Sequence, residues 1–507
     1  MKSKFLFLLA VVLLLFTVAG KHTTAFAEDV EKFQSGYYVY SLQEDGTATI
    51  VTYAGNEQSI VLPTELDGHP VTAISDMAFF LNSKLIYCII PDGVTTIGDY
   101  AFNGCPNLRS ITIPNSVTEV GDNPFRVCES LDQINLSADH PTLEINDGVL
   151  FSKPDKRLIC YPFTSDEEEY TIPDGVEIIG DSAFSVCTSL SSITIPDSVT
   201  VIDSGAFDMC SGLTSINVPD SVITIGEYAF NECYSLNSII IPSNVKTIGD
   251  GAFSGCGNLS SILIPDSVSS IGANPFAGCT KLSQITVSVD NSYYTSSDNV
   301  LFSLMDKKLV CYPLPLTQEY YIIPDWIEII GENAFYGCEN LTDISIPNSV
   351  TSIGNNAFSG CESLTSISIP NSVVYINDSA FAWCRSLQAI DIPDSVTFIG
   401  DSAFARCTSL TNIALPDNIT LISNNTFCGC ESLTSFIIPD GVTSIGDTAF
   451  YDCTSLTSIN IPNSVVSIGK SAFFSCPDLI VTIGRESYAQ QYCAINEIEY
   501  IYNDISD

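Results

Sequence analysis

A cysteine that recurs every 23 residues is the feature that most constrains the fold of this chain. A phenylalanine three residues before it recurs with the same period, from Phe79 to Phe473. A fixed period between about 20 and 50 residues indicates stacked structural repeats. The sequence therefore predicts a repeat solenoid, although 507 residues would suggest several globular domains in an ordinary protein. The cysteines of this ladder are Cys105, Cys128, Cys187, Cys210, Cys233, Cys256, Cys279, Cys338, Cys361, Cys384, Cys407, Cys430, Cys453 and Cys476.

The repeat unit is clearest between Leu364 and Cys384. Apolar residues at Ile367 and Ile369, followed by a proline, predict one short strand in each coil. The segment from Val373 to Phe381 is predicted to be the return path, with an aspartate that caps a short helical turn. Stacking would place identical residues about 4.8 Å apart and make one continuous apolar core. The ladder cysteines are then small buried thiols, in preference to disulfides or metal ligands.

The phrase I-P-[DN]-[SG]-V-x-x-I-G-[DN]-x-A-F-x-x-C-x-x-L resembles the repeat of the BspA-like, treponemal-type leucine-rich repeat surface proteins. The resemblance implies a right-handed leucine-rich repeat coil with a parallel β-sheet on its concave side. It also implies export by bacteria and a role in adhesion. Fold alone does not define a partner, so the adhesive role is an expectation by analogy.

The repeat is bounded by atypical segments, as the exposed ends of a solenoid require. We assign residues 1–27 to a signal peptide, 28–62 to an N-terminal capping hairpin region, 63–478 to the solenoid and 479–507 to a C-terminal cap of strand, short helix and strand. Two interruptions, at about 137–172 and 288–323, align with each other at an offset of 151 residues. Each contains two apolar strands about a polar turn and is predicted to be a β-hairpin insertion.

Charge and the N-terminal segment indicate the compartment and exclude some partners. Two lysines, an apolar run from Phe5 to Ala19 and the Ala25–Ala27 motif are typical of an export signal. We therefore expect a protein that is secreted, extracellular or loosely associated with the cell surface, with no membrane insertion after signal removal. The net charge of −41 argues against a nucleic-acid partner.

Catalysis requires polar groups that converge at one place, and the sequence offers few. His69 and His140 are the only histidines after residue 27, and neither lies in a metal-binding or nucleophile motif. We expect no enzymatic activity, no cofactor and no catalytic or metal-binding residues. Cys428 and Cys493 lie outside the ladder and are the preferred candidates for reactive thiols, whereas Cys88 is ambiguous.

Large apolar residues at outward positions are candidates for a binding surface, because adjoining exposed apolar groups often mark contacts. Tyr375, Phe398 and Leu421 occupy one position in three successive coils, where threonine or serine is usual. They form the candidate binding patch, with the packing of one coil on its neighbour as the competing explanation. Smaller apolar pairs are predicted at Ile240 with Leu263 and at Ala414 with Ile437.

These features favour a non-enzymatic binding scaffold whose partner is an extracellular protein, from the host matrix or another bacterial surface, in preference to a glycan. One alternative is a structural surface or colonisation protein that associates with itself. Another is a calcium-dependent acidic scaffold, since carboxylates follow many of the ladder prolines, although turn chemistry explains them equally well. Those carboxylates are Asp197, Asp220, Asp266, Asp394, Asp417 and Asp440.

Overall fold

The computed structural model describes residues 31–503. The chain divides into two compact units, Met1–Glu144 and Ile145–Asp507. Both are built from parallel-strand coils, of which the chain has about 20. The predicted solenoid is therefore confirmed. The predicted signal peptide and the last four residues of the predicted C-terminal cap lie outside the described residues.

The first unit begins with an antiparallel meander of Lys32–Ser35, Tyr38–Leu42 and Ala48–Tyr53. The last of these strands is also the first of a parallel series, so the meander covers the end of the coil stack. That series continues through His69–Ile74, Thr96–Ile97 and Glu119–Val120, and Glu65–Leu66 pairs antiparallel with His69–Ile74. A second parallel series contains Ser59–Val61, Tyr87–Ile89, Ser110–Thr112 and Gln133–Asn135.

Most coils contribute two strands, so the expectation of one strand per coil was wrong. In one coil, Ser366–Ser368 pairs with the next coil at Ala389–Asp391, and Tyr375–Ile376 pairs with Phe398–Ile399. The first pairing forms what we call the first ladder, and the second forms the second ladder. The segment assigned to the return path is thus itself sheet, because the stacked coil offers hydrogen-bond partners to its backbone groups as well.

In the second unit, both ladders run in several hydrogen-bonded sheets. The first ladder consists of Glu169–Thr171, Ser192–Thr194, Ser215–Asn217; Ser261–Ile264, Gln284–Val287; Tyr320–Ile322, Asp343–Ser345; Ser366–Ser368, Ala389–Asp391, Asn412–Ala414; and Ser435–Ile437, Ser458–Ile461, Ile480–Ile483, Glu499–Tyr502. The second ladder consists of Arg157–Cys160, Ile178–Ile179, Val201–Ile202, Thr224–Ile225, Thr247–Ile248, Ser270–Ile271; Lys308–Cys311, Ile329–Ile330, Ser352–Ile353, Tyr375–Ile376, Phe398–Ile399; and Leu421–Ile422, Ser444–Ile445, Ser467–Ile468.

The turn before each phenylalanine is not helical, which corrects the predicted capped helical turn. Ser379 has a φ of 53°, and its N–H donates to Asp401 O of the next coil at 2.8 Å. Phe381 N and Trp383 N also donate to the next coil, whereas Ala380 N and Ala382 N bond within their own turn. The backbone therefore makes a third set of bonds between coils. These bonds compete with the i→i−4 bonding that a helix needs.

The aspartate predicted to cap that helical turn instead caps the neighbouring coil. Asp378 Oδ1 accepts a hydrogen bond from Asp401 N at 2.8 Å, and Asp401 Oδ1 accepts one from Asn424 N at 2.9 Å. A carboxylate or amide oxygen satisfies a backbone donor well at a chain turn. This position is thus structural in successive coils.

Both predicted insertions contain an antiparallel hairpin. The first pairs Val149–Ser152 with Arg157–Cys160, and the second pairs Val300–Ser303 with Lys308–Cys311. The second hairpin has a third antiparallel strand, Tyr294–Ser297. A further strand, Leu143–Asn146, crosses the boundary between the two units.

The core is a column of stacked phenylalanine rings flanked by the aliphatic residues of each coil. In the second unit the ring centroids of Phe381 and Phe404 are 5.6 Å apart, and those of Phe404 and Phe427 are 5.7 Å apart. After each hairpin a tyrosine begins a new column: Tyr161 stacks on Phe184 and Tyr312 stacks on Phe335, both at 5.1 Å. After each insertion the column of stacked rings therefore begins again with a tyrosine, whose ring has a shape similar to that of phenylalanine.

The C-terminal end has the predicted order of strand, helix and strand: Ile480–Ile483, Tyr488–Ile495 and Glu499–Tyr502. The helix begins after Ser487, whose hydroxyl accepts a hydrogen bond from Gln490 N at 3.2 Å. It is the only helix among residues 31–503, and no helix in that range is long and apolar enough to span a membrane.

Candidate functional site

The candidate binding patch lies on the second ladder, with its side chains exposed. The exposed fractions are 50% for Tyr375, 41% for Phe398 and 42% for Leu421. Tyr375 and Phe398 are direct neighbours on two paired parallel strands. The sheet ends at Phe398–Ile399, and a new one begins at Leu421–Ile422. The structure therefore brings the two aromatic residues together across a hydrogen-bonded pair, and Leu421 belongs to the following coil without strand pairing to them.

Serines border the patch on the ladder. Ser352 pairs with Tyr375 on one side, and Ser444 pairs with Leu421 on the other. The buried partners in the same strands, such as Ile376 and Ile399, belong to the core. The fold therefore tolerates serine at this outward position, and the aromatic residues are not required by the packing of the ladder.

The two smaller apolar pairs are exposed but do not lie on paired strands. Ile240 and Leu263 are both exposed, yet the segment around Ile240 makes only an isolated bridge, at Ser238. Ala414 and Ile437 end strands of two different sheets, where their paired neighbours are Asp391 and Asn460. Polar residues thus flank the second pair, and strand pairing joins the members of neither pair.

The ladder cysteines line the core, and their thiols link successive coils. Cys384 Sγ donates to Phe358 O of the preceding coil at 3.2 Å, and Cys407 Sγ donates to Phe381 O at 3.1 Å. The same carbonyl of Phe358 also accepts the N–H of Cys361. A small side chain with a weak donor fits this crowded position. The nineteen cysteines are thiols in the structure.

Burial controls the reactivity of these thiols. It raises the pKa of Cys361 and of Cys407 to about 12. Cys493 was a preferred candidate for a reactive thiol, but the C-terminal helix buries it fully and its pKa is raised to about 11, so that prediction was wrong. Cys428 is half-buried, and burial raises its pKa although the Arg406 guanidinium acts in the opposite direction.

We expect very few cysteines to react with a thiol reagent at neutral pH in the native protein. Cys428 and Cys476 are only partly buried and should react slowly, whereas the other thiols are buried and shielded from the reagent. Titration should therefore rise from at most two groups to all nineteen on denaturation without reductant. Blockage of most cysteines in the unfolded, unreduced protein would show that disulfides form instead.

A cluster around Trp383 was not predicted as a site. The Arg385 guanidinium lies 5.2 Å from the centroid of the indole ring, and that of Arg406 lies 5.9 Å from it. Arg406 Nη1 also contacts Asp452 Oδ2 at 3.1 Å, two coils further on. Gly429 in the intervening coil leaves room for the Arg406 side chain to extend to Asp452. A Cβ at position 429 would lie 2.6 Å from Arg406 Cδ, which is too close for two carbon atoms.

The backbone at this cluster is unusual for its residues. Trp383 and Arg406 both have a φ of 61°, in the left-handed region that favours glycine. Gly360 and Gly429 occupy the same position in the flanking coils. Large side chains in this conformation carry a strain that often accompanies function. The replacement of a recurrent glycine by tryptophan and arginine was the sequence signal that could have identified the cluster.

His140 has a structural role. His140 is buried, and its Nδ1 accepts a hydrogen bond from Leu143 N at 3.1 Å. Because Nδ1 is the acceptor, Nε2 carries the proton, and it donates to Pro114 O at 3.0 Å. At the corresponding place in the second insertion, Asn291 makes the same two kinds of bond, to Pro265 O and from Tyr294 N. Because an asparagine makes the same hydrogen bonds, this position does not require a side chain that acts as an acid or a base.

No group of three or more histidine, cysteine, aspartate or glutamate side chains within residues 31–503 is arranged to hold a metal ion. A cavity of about 290 Å³ lies beside the second hairpin, lined by residues that include Asp250, Asn274, Lys308 and Glu332. Asp250 Oδ1 accepts a hydrogen bond from Ala273 N at 2.7 Å, which is the same structural bond that aspartates make in other coils.

Comparison with known families decides the classification. The sequence model of the BspA-type leucine-rich repeat region matches residues 56–153, 160–297, 316–432 and 420–492. This chain belongs to the BspA-type leucine-rich repeat family. The matched BspA-type repeats include the candidate binding patch, the Trp383 cluster, most of the first insertion and half of the second.

Solved structures of leucine-rich repeat proteins are similar to this BspA-type chain. A leucine-rich cell surface protein from Faecalibacterium prausnitzii is 28% identical, with 92% of this chain and 98% of that chain covered and a TM-score of 0.31. A leucine-rich repeat protein from Bacteroides ovatus is 26% identical, with 93% and 100% covered and a TM-score of 0.38. The pneumococcal vaccine antigen PcpA is 20% identical, with 94% and 100% covered and a TM-score of 0.37. No curated protein matches the chain.

Proposed function

We propose that this protein is a secreted, non-enzymatic scaffold that binds an extracellular protein through the outward side chains of its repeats. Membership of a family that includes surface proteins supports this role, as does the predicted export signal. The observation that carries the proposal is the exposed patch of Tyr375, Phe398 and Leu421 between Ser352 and Ser444. Aromatic residues are enriched at the centres of protein interfaces.

A protein partner is favoured over a polysaccharide by the shape and chemistry of the patch. The patch is a ladder surface of two aromatic rings and a leucine, with small hydroxyl side chains beside it. Large apolar groups of this kind are typical of protein contacts, where a few buried anchors contribute most of the binding free energy. The acidic surface would favour a partner with basic residues around its apolar contact.

Replacement of Tyr375, Phe398 and Leu421 by serine should abolish partner binding but not folding. The change restores the residue found at Ser352 and Ser444 and leaves the buried Ile376 and Ile399 untouched. We expect affinity to fall by at least about thirtyfold, since truncating interface anchors typically costs about 2 kcal/mol or more. Binding to purified extracellular matrix proteins and to a bacterial cell-wall protein fraction would be measured by surface plasmon resonance.

The matched control is Thr224→Ser with Thr247→Ser, at the same ladder position in earlier coils. It should bind like the original protein. Unchanged binding by the triple variant would contradict the proposed surface, and unfolding of that variant would show that the three residues belong to the core. Sedimentation of the original protein as a calcium-insensitive monomer would argue against the self-associating and calcium-dependent alternatives.

A further inference from the structure

The two hairpin insertions have the same architecture and can be compared position by position. In both, the strand pairing shifts by one residue at the same place, between Leu150 and Phe151 and between Leu301 and Phe302. Both hairpins then start a run of the second ladder, by pairing with the strand that begins 21 residues later. An ion pair corresponds as well, between Lys156 and Glu177 and between Lys307 and Glu328. The first hairpin thus shows what the architecture requires.

The second insertion and the turn that follows it have large apolar residues where the first insertion and its following turn have small or polar ones. Tyr293, Leu304, Met305 and Trp326 have exposed fractions of 41%, 41%, 71% and 40%. We call these four residues the hairpin patch. The corresponding residues of the first insertion, at the offset of 151, are Thr142, Lys153, Pro154 and Gly175. The strand after the second hairpin shows the same trend, with exposed Tyr320 and Ile322 at the positions of Glu169 and Thr171.

Backbone and ring contacts place the segments that carry the hairpin patch beside one turn. Leu304 N donates to Tyr293 O at 2.8 Å, so these two residues are neighbours across the strands. The Trp326 ring lies 5.4 Å from the ring of Phe302, two residues before Leu304. Lys307 O accepts the N–H of Glu328 at 2.8 Å, which holds the segment of Trp326 against the hairpin turn.

Formation of the hairpin does not require the exposed side chains of the hairpin patch. Gly175 corresponds to Trp326, with a φ of 92° and nothing within 4 Å of a Cβ built on it. The first hairpin therefore forms without an aromatic residue at this position, whereas in the second the Trp326 ring packs on Phe302 and Trp326 stays 40% exposed. A cluster of exposed apolar side chains on an acidic protein marks a contact surface.

The charge around the hairpin patch selects the kind of partner. Lys307 is paired with Glu328, and Lys308 lies 4.0 Å from Asp306, so the lysines of the turn are compensated. Asp325, next to Trp326, is exposed. With a net charge of −41, two copies of this chain repel each other, whereas a basic segment is attracted. We propose that the hairpin patch is a docking site for a basic, amphipathic polypeptide segment.

The test uses the full chain and synthetic amphipathic helical peptides as probes. One peptide consists of leucine and lysine, one has glutamate in place of lysine, and one has serine in place of leucine. The variant Tyr293→Thr, Leu304→Lys, Met305→Pro, Trp326→Gly transplants the residues of the first insertion. Calorimetry should show binding of the leucine–lysine peptide only, weakened at least about tenfold in the variant and weakened by added salt.

Further variants separate this site from the candidate binding patch and from misfolding. Tyr375→Ser, Phe398→Ser, Leu421→Ser should bind the leucine–lysine peptide normally, so the two proposals fail independently. Met305→Lys changes only the most exposed residue and should weaken binding while leaving thermal unfolding unchanged. The chain has two tryptophans, so Trp383→Phe leaves Trp326 as the only tryptophan, and its emission should shift to the blue on binding.

Three results would overturn the proposal. One is equal binding of the lysine and glutamate peptides, and another is undiminished binding to both the transplanted variant and Met305→Lys. The third is sedimentation of the original chain as a dimer that the transplanted variant converts to a monomer, because the occupant would then be a second copy.

Discussion

Raising the pH from 8 to 10 should unfold the protein, even under fully reducing conditions. Burial keeps these ladder thiols protonated: it raises the pKa of Cys361 and Cys407 to about 12, and it raises the pKa of Cys384 and Cys430 well above the ordinary value of 9.0. In the unfolded chain the same thiols ionise near their ordinary pKa of 9.0. Above that pH the unfolded state binds fewer protons than the folded state, so stability falls as pH rises through the window between the two pKa values.

The expected effect is large because many thiols act in the same direction. At pH 10 each fully buried thiol should lower the free energy of unfolding by about 1.4 kcal/mol, and about ten of them would remove on the order of 14 kcal/mol. That equals the whole stability of a typical domain. Urea denaturation at pH 8, 9 and 10, followed by circular dichroism without oxygen, would measure it.

The matched variant for this experiment is Cys361→Ala, Cys384→Ala, Cys407→Ala. It removes three titrating groups from adjacent coils and should reduce the slope of stability against pH by about 4 kcal/mol per pH unit above pH 9. An identical slope for the variant and the original protein would show that the ladder thiols do not cause the alkaline transition.

Replacement of Phe404 by alanine should produce the largest loss of stability of any single change considered for the core. Phe404 is fully buried, and its ring stacks between those of Phe381 and Phe427. Removal of a buried phenylalanine ring costs about 3–5 kcal/mol, which includes the cavity that remains. Because each coil contacts only its neighbours, we expect the loss to be concentrated in the coils beside position 404.

Hydrogen exchange would locate the lesion. The amide of Phe381 donates to Ala403 O at 2.8 Å and should exchange much faster in the variant, whereas Phe207 N, bonded to Ala229 O far from the lesion, should not change. Phe398→Ala is the matched surface control and should cost less than about 1 kcal/mol, since Phe398 is 41% exposed and lies outside the column of core rings. Equal losses for Phe398→Ala and Phe404→Ala would mean that the inward and outward faces are assigned wrongly.

The candidate binding patch shows how far sequence reasoning extends at the surface. The common position of Tyr375, Phe398 and Leu421 followed from the 23-residue period, because a fixed period fixes which residues stack. The serines on both sides, Ser352 and Ser444, followed from the same period, whereas the exposed fractions of the three residues come from the structure. The end of strand pairing after Phe398–Ile399 could not be predicted from the sequence, because it depends on how two neighbouring coils pack against each other.

By itself, the sequence determined the features that repetition encodes. The inward residues of each coil, the cysteine ladder, the capping strands and the two hairpins all followed from period and polarity, because every coil must bury the same face against the next. Only the tertiary structure decided the second ladder, the left-handed turns at residues such as Ser379, and the burial of Cys493. It alone brought Arg406 to Asp452 across an intervening glycine. The physical reason is that these features arise from hydrogen bonds and contacts between coils, which join residues 23 or 46 positions apart and leave no periodic signal within one repeat.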